Sequence, residues 1–175
     1  MSWKSTVLTL SATLALAGCQ ASHPPLETVD SVDLERFMGD WYVIANIPTF
    51  VEKGAHNAVE SYRLDDDGTI ATTFTFRKDA FNGPEKTYTP RGFIRDTQTN
   101  AEWGMQFVWP FKGDYRIFYL DQDYDNTIIG RNKRDYVWLM SRSPEMSDER
   151  YQYFVQIIAE AGYDVSELQR VPQKW

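Results

Sequence analysis

The sequence predicts an all-β fold, an eight-stranded up-and-down antiparallel barrel with one C-terminal α-helix packed outside. Three observations lead there. Segments rich in Val, Ile, Thr, Tyr, Phe and Trp alternate with period two along most of the chain. Short turn signals separate them, so sequential strands are expected to pair with their neighbours. A single stripe of apolar residues at helical spacing follows the last of these segments. Eight strands close into a barrel whose interior holds side chains or one small ligand.

A helical turn at Val32 to Met38 precedes the first strand, Trp41 to Ile47, which stops at Pro48. The second, Asn57 to Leu64, runs into Asp65-Asp66-Asp67-Gly68, a hairpin turn. Thr69 to Lys78 is the third, closed by Asn82-Gly83-Pro84, and Lys86 to Arg95 the fourth, followed by a polar turn from Asp96 to Asn100. Glu102 to Trp109 ends at Pro110, and Asp114 to Leu120 ends in the acidic loop Asp121 to Asp125. Asn126 to Gly130 and Tyr136 to Ser141 complete the eight, joined by the charged turn Arg131 to Asp135. The helix is expected from Ser147 to Ala161. Tyr151, Phe154, Val155 and Ile158 form its apolar stripe, Ser147 its N-cap and Gly162 its C′ residue. The stripe is expected to cover Val137 and Leu139 on the outside of the barrel. A short strand near Leu168 to Val171 follows.

The amino-terminal end reads differently. Lys4 is followed by an apolar stretch from Val7 to Leu16, interrupted only by Thr and Ser, which suits a secretory signal and is too short to span a bilayer. The stretch ends in Leu16-Ala17-Gly18-Cys19, which resembles the bacterial lipobox and implies acylation of Cys19. The expected organisation is a lipoprotein signal peptide at 1–18, a flexible Pro-rich tether at 19–29 and a barrel domain at 30–175. Two or more acyl chains meet the requirement for stable anchoring. Gln20 after the cysteine, by likeness to known lipoproteins, favours the outer membrane, with the periplasmic face as the expected side. Cys19 is the only cysteine, so no disulfide within the chain is expected. Removing 18 residues leaves 157, with 17 basic against 25 acidic residues. A net charge of −8 makes nucleic acid an unsuitable partner.

Gly39-Asp40-Trp41-Tyr42 opens the first strand, Asp123-Tyr124 lies in the loop after the sixth, and Arg142 ends the eighth. This order resembles the lipocalin family, over roughly Val32 to Val171, although Gln122 stands where Thr is usual in the second motif. Pro110 to Tyr115, Tyr119 to Tyr124 and Asp135 to Pro144 resemble the bacterial outer-membrane lipoprotein subgroup, related to apolipoprotein D. The resemblance implies that Gly39, Trp41, Asp123, Tyr124 and Arg142 are structural, with the Arg142 guanidinium over the Trp41 ring at the closed end.

It also implies a ligand site at the open end and inside the barrel. The alternation puts Tyr115, Ile117 and Tyr119 on one side of their strand, and Tyr136, Trp138 and Met140 on one side of theirs. These six are the expected ligand contacts. Phe74 and Phe76, with either Trp103 and Met105 or Phe107 and Trp109, would add apolar wall. Lys112 in its hairpin and Arg91 are the expected headgroup contacts, whereas Arg116 lies out of phase with the inward set.

Nothing points to chemistry. His23 and His56 lack the partners of a metal site or a catalytic triad, and Asp65 to Asp67 lack the spacing of a calcium loop. No cofactor or metal is expected. The expected function is a non-enzymatic, membrane-anchored lipid-binding protein of the bacterial cell envelope. It would store or transport fatty acids or lysophospholipids, in the service of membrane maintenance under stress. A homodimer is compatible with the sequence. A lipid-acting enzyme on the same scaffold, or a lipoprotein with a solid, ligand-free barrel, are the competing readings.

Overall fold

The computed structural model describes residues 23–175. The predicted signal peptide at 1–18 and Cys19 lie outside the described residues. The elements are α1 (Leu34–Phe37), β1 (Gly39–Ile47), β2 (Ala55–Leu64), β3 (Thr69–Lys78), β4 (Glu85–Tyr88), β5 (Arg91–Ile94), β6 (Glu102–Val108), β7 (Phe111–Leu120), β8 (Asn126–Gly130), β9 (Val137–Ser141), α2 (Asp148–Glu160) and β10 (Gln169–Arg170). The strands pair antiparallel in the order β1-β2-β3-β5-β6-β7-β8-β9, with β4 on β3, and β1 pairs with β9, so the sheet closes on itself. The eight-stranded barrel of the sequence reading is what forms. β10 adds beside β1 through Ala45 and Asn46.

The predicted fourth strand is two pieces. β4 and β5 both pair with β3, through Tyr88 opposite Phe74 and Arg91 opposite Ala71. Thr89-Pro90 separates them. A proline has no N–H for the ladder, so the strand breaks there and only β5 continues to β6.

Two apolar clusters divide the fold. One fills the lower barrel with Phe37, Trp41, Tyr62, Ile70, Trp103, Ile117 and Met140. The other lies outside, where Tyr151, Phe154 and Ile158 of α2 cover Ile44, Ile128, Val137 and Leu139. Ser147 caps α2 by accepting a hydrogen bond from the Arg150 N–H, and Gly162 ends it at φ +92°. Phe154 is fully buried beneath the helix. Phe154→Ala is expected to lower unfolding free energy by about 3–5 kcal/mol, read by urea denaturation. A loss below about 1 kcal/mol would mean that the helix is not integral to the core.

The predicted flexible tether needs correction over its described part. Leu26 is only 4% exposed. Its N–H donates to Asn132 Oδ1 at 2.8 Å, its carbonyl accepts from Arg116, and the Val29 N–H donates to the Ile117 carbonyl at 3.0 Å. Gly130 explains the seat. A Cβ there would lie 2.7 Å from Leu26 Cδ2 and would also strike the Tyr163 hydroxyl. Bare backbone at 130 thus leaves room for an apolar side chain that a free linker would expose to water.

At the closed end, Arg142 stands 3.8 Å from the Trp41 ring centroid. It donates to the carbonyls of Asp40, Arg36, Phe37, Met38 and Tyr124. Four of these belong to the short helix and its exit, so the guanidinium both caps α1 and ties it to the barrel floor. Gly39, at φ +93°, passes so close that a Cβ would lie 3.4 Å from Arg142 Nη1. The Tyr124 hydroxyl accepts from the Asp33 N–H at 2.8 Å, and Arg36 lies over the Tyr124 ring. Asp123 is exposed in the same loop.

Candidate functional site

A cavity of about 300 Å³ opens at the other end of the barrel. That volume sits at the lower end of ligand-binding pockets. Phe74, Met105, Phe107, Val108, Phe111, Tyr115 and Trp138 give it a mostly apolar wall. Below it, Trp103 stacks on Tyr115 with centroids 5.2 Å apart, and Tyr62, Phe37 and Trp41 complete the floor.

The predicted contacts fall in different places. Tyr115 and Trp138 are on the cavity wall. Ile117 and Met140 point into the barrel but are fully buried within the packed lower core. Tyr119 is a correction. The register shifts between Ile117 and Tyr119, so Phe118 and Tyr119 both face outward, and Tyr119 meets Phe154 edge-on at 5.3 Å. A bulge changes the inside-outside phase of everything beyond it, and strict alternation cannot foresee that. Tyr136 precedes β9, and its ring lies between Trp138 and Arg131 rather than on the cavity wall.

Neither predicted headgroup cation faces the cavity. Arg91 is on the outer surface, paired with Asp65 and Asp67 of the β2–β3 turn. Its neighbour Gly92 is the inward residue, packed against Ile70 and Trp103. Lys112 also points outward, with Nζ 3.3 Å from the Phe93 ring centroid, while Phe111 and Gly113 on either side line the cavity. Arg116 is outside as expected, held by Glu102 at 2.6 Å and by Asp114.

The cation at the mouth is Arg131, which the sequence reading placed in a turn. Ile129 faces in and Ile128 faces the helix, so continuing the alternation through Gly130 turns Arg131 inward. Its Nε lies 3.4 Å from Asp135 Oδ1 with no hydrogen bond, and its guanidinium flanks the Tyr136 ring at 5.2 Å.

Two carboxyls also line the cavity. Glu52 accepts from Trp138 Nε1 and from the Thr49 N–H, each at 2.7 Å, so both its oxygens are occupied. Glu60 accepts from the Tyr62 hydroxyl, and Tyr62 is 2.5 Å from the Tyr115 hydroxyl. Burial pushes the Glu60 carboxyl up to about 7, against the Tyr62 hydrogen bond, with the nearby Glu52 charge adding to the rise. Burial likewise drives the Tyr62 and Tyr115 hydroxyls far above the ordinary tyrosine range. Sequence reasoning missed Glu60 because a charged residue in a strand normally marks the solvent face. The signal present was its place between Ala58 and Tyr62, both inward. Among the described residues no three His, Cys, Asp or Glu side chains gather as metal ligands.

The rim is apolar and exposed. Phe50 is 83% exposed, Trp109 82% and Phe111 76%, with Phe107 and Val108 beside them. The described chain begins at this end, where the Pro24 carbonyl accepts from Arg134 in the β8–β9 loop at 3.1 Å.

A family model described as "Lipocalin-like domain" matches residues 32–173. Temperature-induced lipocalin-1 of Arabidopsis thaliana is 32% identical, with 85% of this chain and 83% of the relative aligned. The outer membrane lipoprotein Blc of Citrobacter freundii is 31% identical, with 95% of each aligned. Among solved structures, insecticyanin from the tobacco hornworm Manduca sexta superposes with a TM-score of 0.66 at 16% identity, covering 85% of each chain, a likeness of fold alone.

Proposed function

The chain belongs to the lipocalin family, and on that premise we propose that it binds single-chain lipids, fatty acids or lysophospholipids, at a membrane surface. The observation that carries this reading is an apolar cavity opening through a ring of exposed aromatic residues. The acyl chain occupies the cavity and the anionic headgroup meets Arg131 at the mouth. Reversible binding suffices, with no turnover. Likeness to the outer membrane lipoprotein of Citrobacter freundii supports an outer-membrane address, and the protein would store or carry lipids there on the periplasmic side, in membrane maintenance under stress.

An acylated Cys19 fits this geometry. Three residues separate it from His23, and the four Cα–Cα steps span at most about 14 Å. An anchor within that reach of His23 would lie close to the end that carries the mouth, because Pro24 is bonded to the β8–β9 loop. Phe50, Trp109 and Phe111 then face the bilayer, where amphipathic aromatic rings are favoured. A lipid moves between membrane and barrel without crossing open water.

Titration of the purified protein with palmitate and with lysophosphatidylcholine, followed by tryptophan emission, tests the reading. Trp138 lies on the cavity wall and Trp103 beneath it, so saturable quenching or a blue shift is expected. Absence of a saturable change with any single-chain lipid rejects it. Arg131→Ala is expected to weaken palmitate binding about tenfold, the loss of one charge-assisted contact worth about 1.4 kcal/mol.

A further inference from the structure

Glu60 is a polar group at the inner end of a cavity that otherwise suits a hydrocarbon chain. It pairs across the sheet with Trp41 on one side and Phe74 on the other, so it stands just above the aromatic floor. Its hydrogen-bonding is half complete. The Tyr62 hydroxyl has one hydrogen and gives it to Glu60 Oε2. Tyr115 must therefore donate to Tyr62, and the relay runs one way, from Tyr115 through Tyr62 to Glu60. The other oxygen, Oε1, receives no bond from any described residue, and Glu60 lines the cavity. Glu52, the other carboxyl of the cavity, already accepts a bond on each oxygen, so neither is left bare as Glu60 Oε1 is.

The cavity thus carries a cation at its mouth, an apolar sleeve, and a free acceptor at its inner end. A plain alkyl chain satisfies the first two and sets its terminal methyl against a carboxyl oxygen. A chain with a hydroxyl near that terminus satisfies all three. We propose that Glu60, backed by Tyr62 and Tyr115, is a subsite that recognises the hydroxyl of a fatty acid hydroxylated near the end remote from its carboxylate. This deepens the lipid-binding reading above and rests on it. The hydroxyl donates to Glu60 Oε1 while the ligand carboxylate stays with Arg131, so the two polar groups also fix the direction of entry. A site with an acceptor to satisfy discriminates strongly against the analogue that lacks the donor. A purely apolar pocket would show the reverse, a mild preference for the unsubstituted chain.

The experiment compares ω-hydroxylated and unsubstituted acids of matched length, dodecanoate and hexadecanoate each with its ω-hydroxy form. Tryptophan emission is followed at pH 8 in the wild type, Glu60→Leu and Glu60→Ala. The expected result is at least tenfold tighter binding of the hydroxylated form for one chain length in the wild type. Both variants lose or invert that preference while still binding the unsubstituted acid. Equal affinities in the wild type overturn the subsite and leave the lipid-binding reading intact. A preference that survives in both variants overturns it too, because the hydroxyl is then recognised elsewhere. No saturable binding of any of the four acids overturns both.

Discussion

Glu60→Gln is expected to stabilise the protein by on the order of 3 kcal/mol at pH 8 and by under about 1 kcal/mol at pH 5. The carboxyl sits at about 7 in the folded protein against an ordinary 4.5, chiefly because burial penalises its charged form. Between those values the native state holds a proton that the unfolded chain has released. Stability therefore falls as pH rises from about 4.5 to about 7, and the whole penalty stands above that window. The groups facing Glu60 are Glu52, Tyr62 and Tyr115, and none of them is a cation that would offset the charge. Glutamine keeps the acceptor for the Tyr62 hydroxyl and removes the titration. Urea denaturation of both proteins at several pH values measures the difference. A gap that stays flat from pH 5 to pH 8 would show that Glu60 titrates as an ordinary carboxylate.

Arg142→Met is expected to cost about 3 kcal/mol. The cation–π contact with Trp41 accounts for about 0.5–2 kcal/mol, and the bonds to five carbonyls make up the rest. Methionine fills much of the volume over the indole yet takes the guanidinium donor from the Arg36 and Met38 carbonyls, while the Phe37 carbonyl keeps the Trp41 Nε1–H. Arg142→Lys restores the charge but not the planar fork that reaches Arg36, Phe37, Met38 and Asp40 together, so it recovers less than half of the loss. Near-ultraviolet circular dichroism, sensitive to the fixed indole of Trp41, is expected to weaken in both variants. A lysine variant as stable as the wild type would mean that charge alone holds the closed end.

Most of the architecture was legible because its determinants are local. The turn at Asp65 to Gly68, the caps at Ser147 and Gly162, and the period-two segments each depend on residues within a few positions of one another. The placing of Val137 and Leu139 under the helix followed from the same alternation. Where the reading failed, the cause lay in pairing between distant strands. Counting from Ile117 predicts Tyr119 inward, and the bulge opposite β8 reverses it. Charge makes Arg91 and Lys112 candidates and the hairpin puts Lys112 at the rim, but their outward phase is set by Gly92 on one strand and by Phe111 and Gly113 on another. Arg131 carries no such signal, because it follows a strand buried on both faces, where hydropathy does not distinguish inside from outside.

The sequence by itself determined the eight-stranded closure, the C-terminal helix, the closed end built on Trp41 and Arg142, and the family. Each of these is written in period, turn chemistry or a motif, and none needs long-range register. Only the tertiary structure decided what the cavity contains. It brought Arg131 to the mouth, left Arg91 and Lys112 outside, seated Leu26 over Gly130, and enclosed Glu60 with one oxygen unpartnered. The physical reason is that a strand has two faces one residue apart. A bulge or a strand end decides which of them meets the interior, and that decision is made by the neighbouring strand.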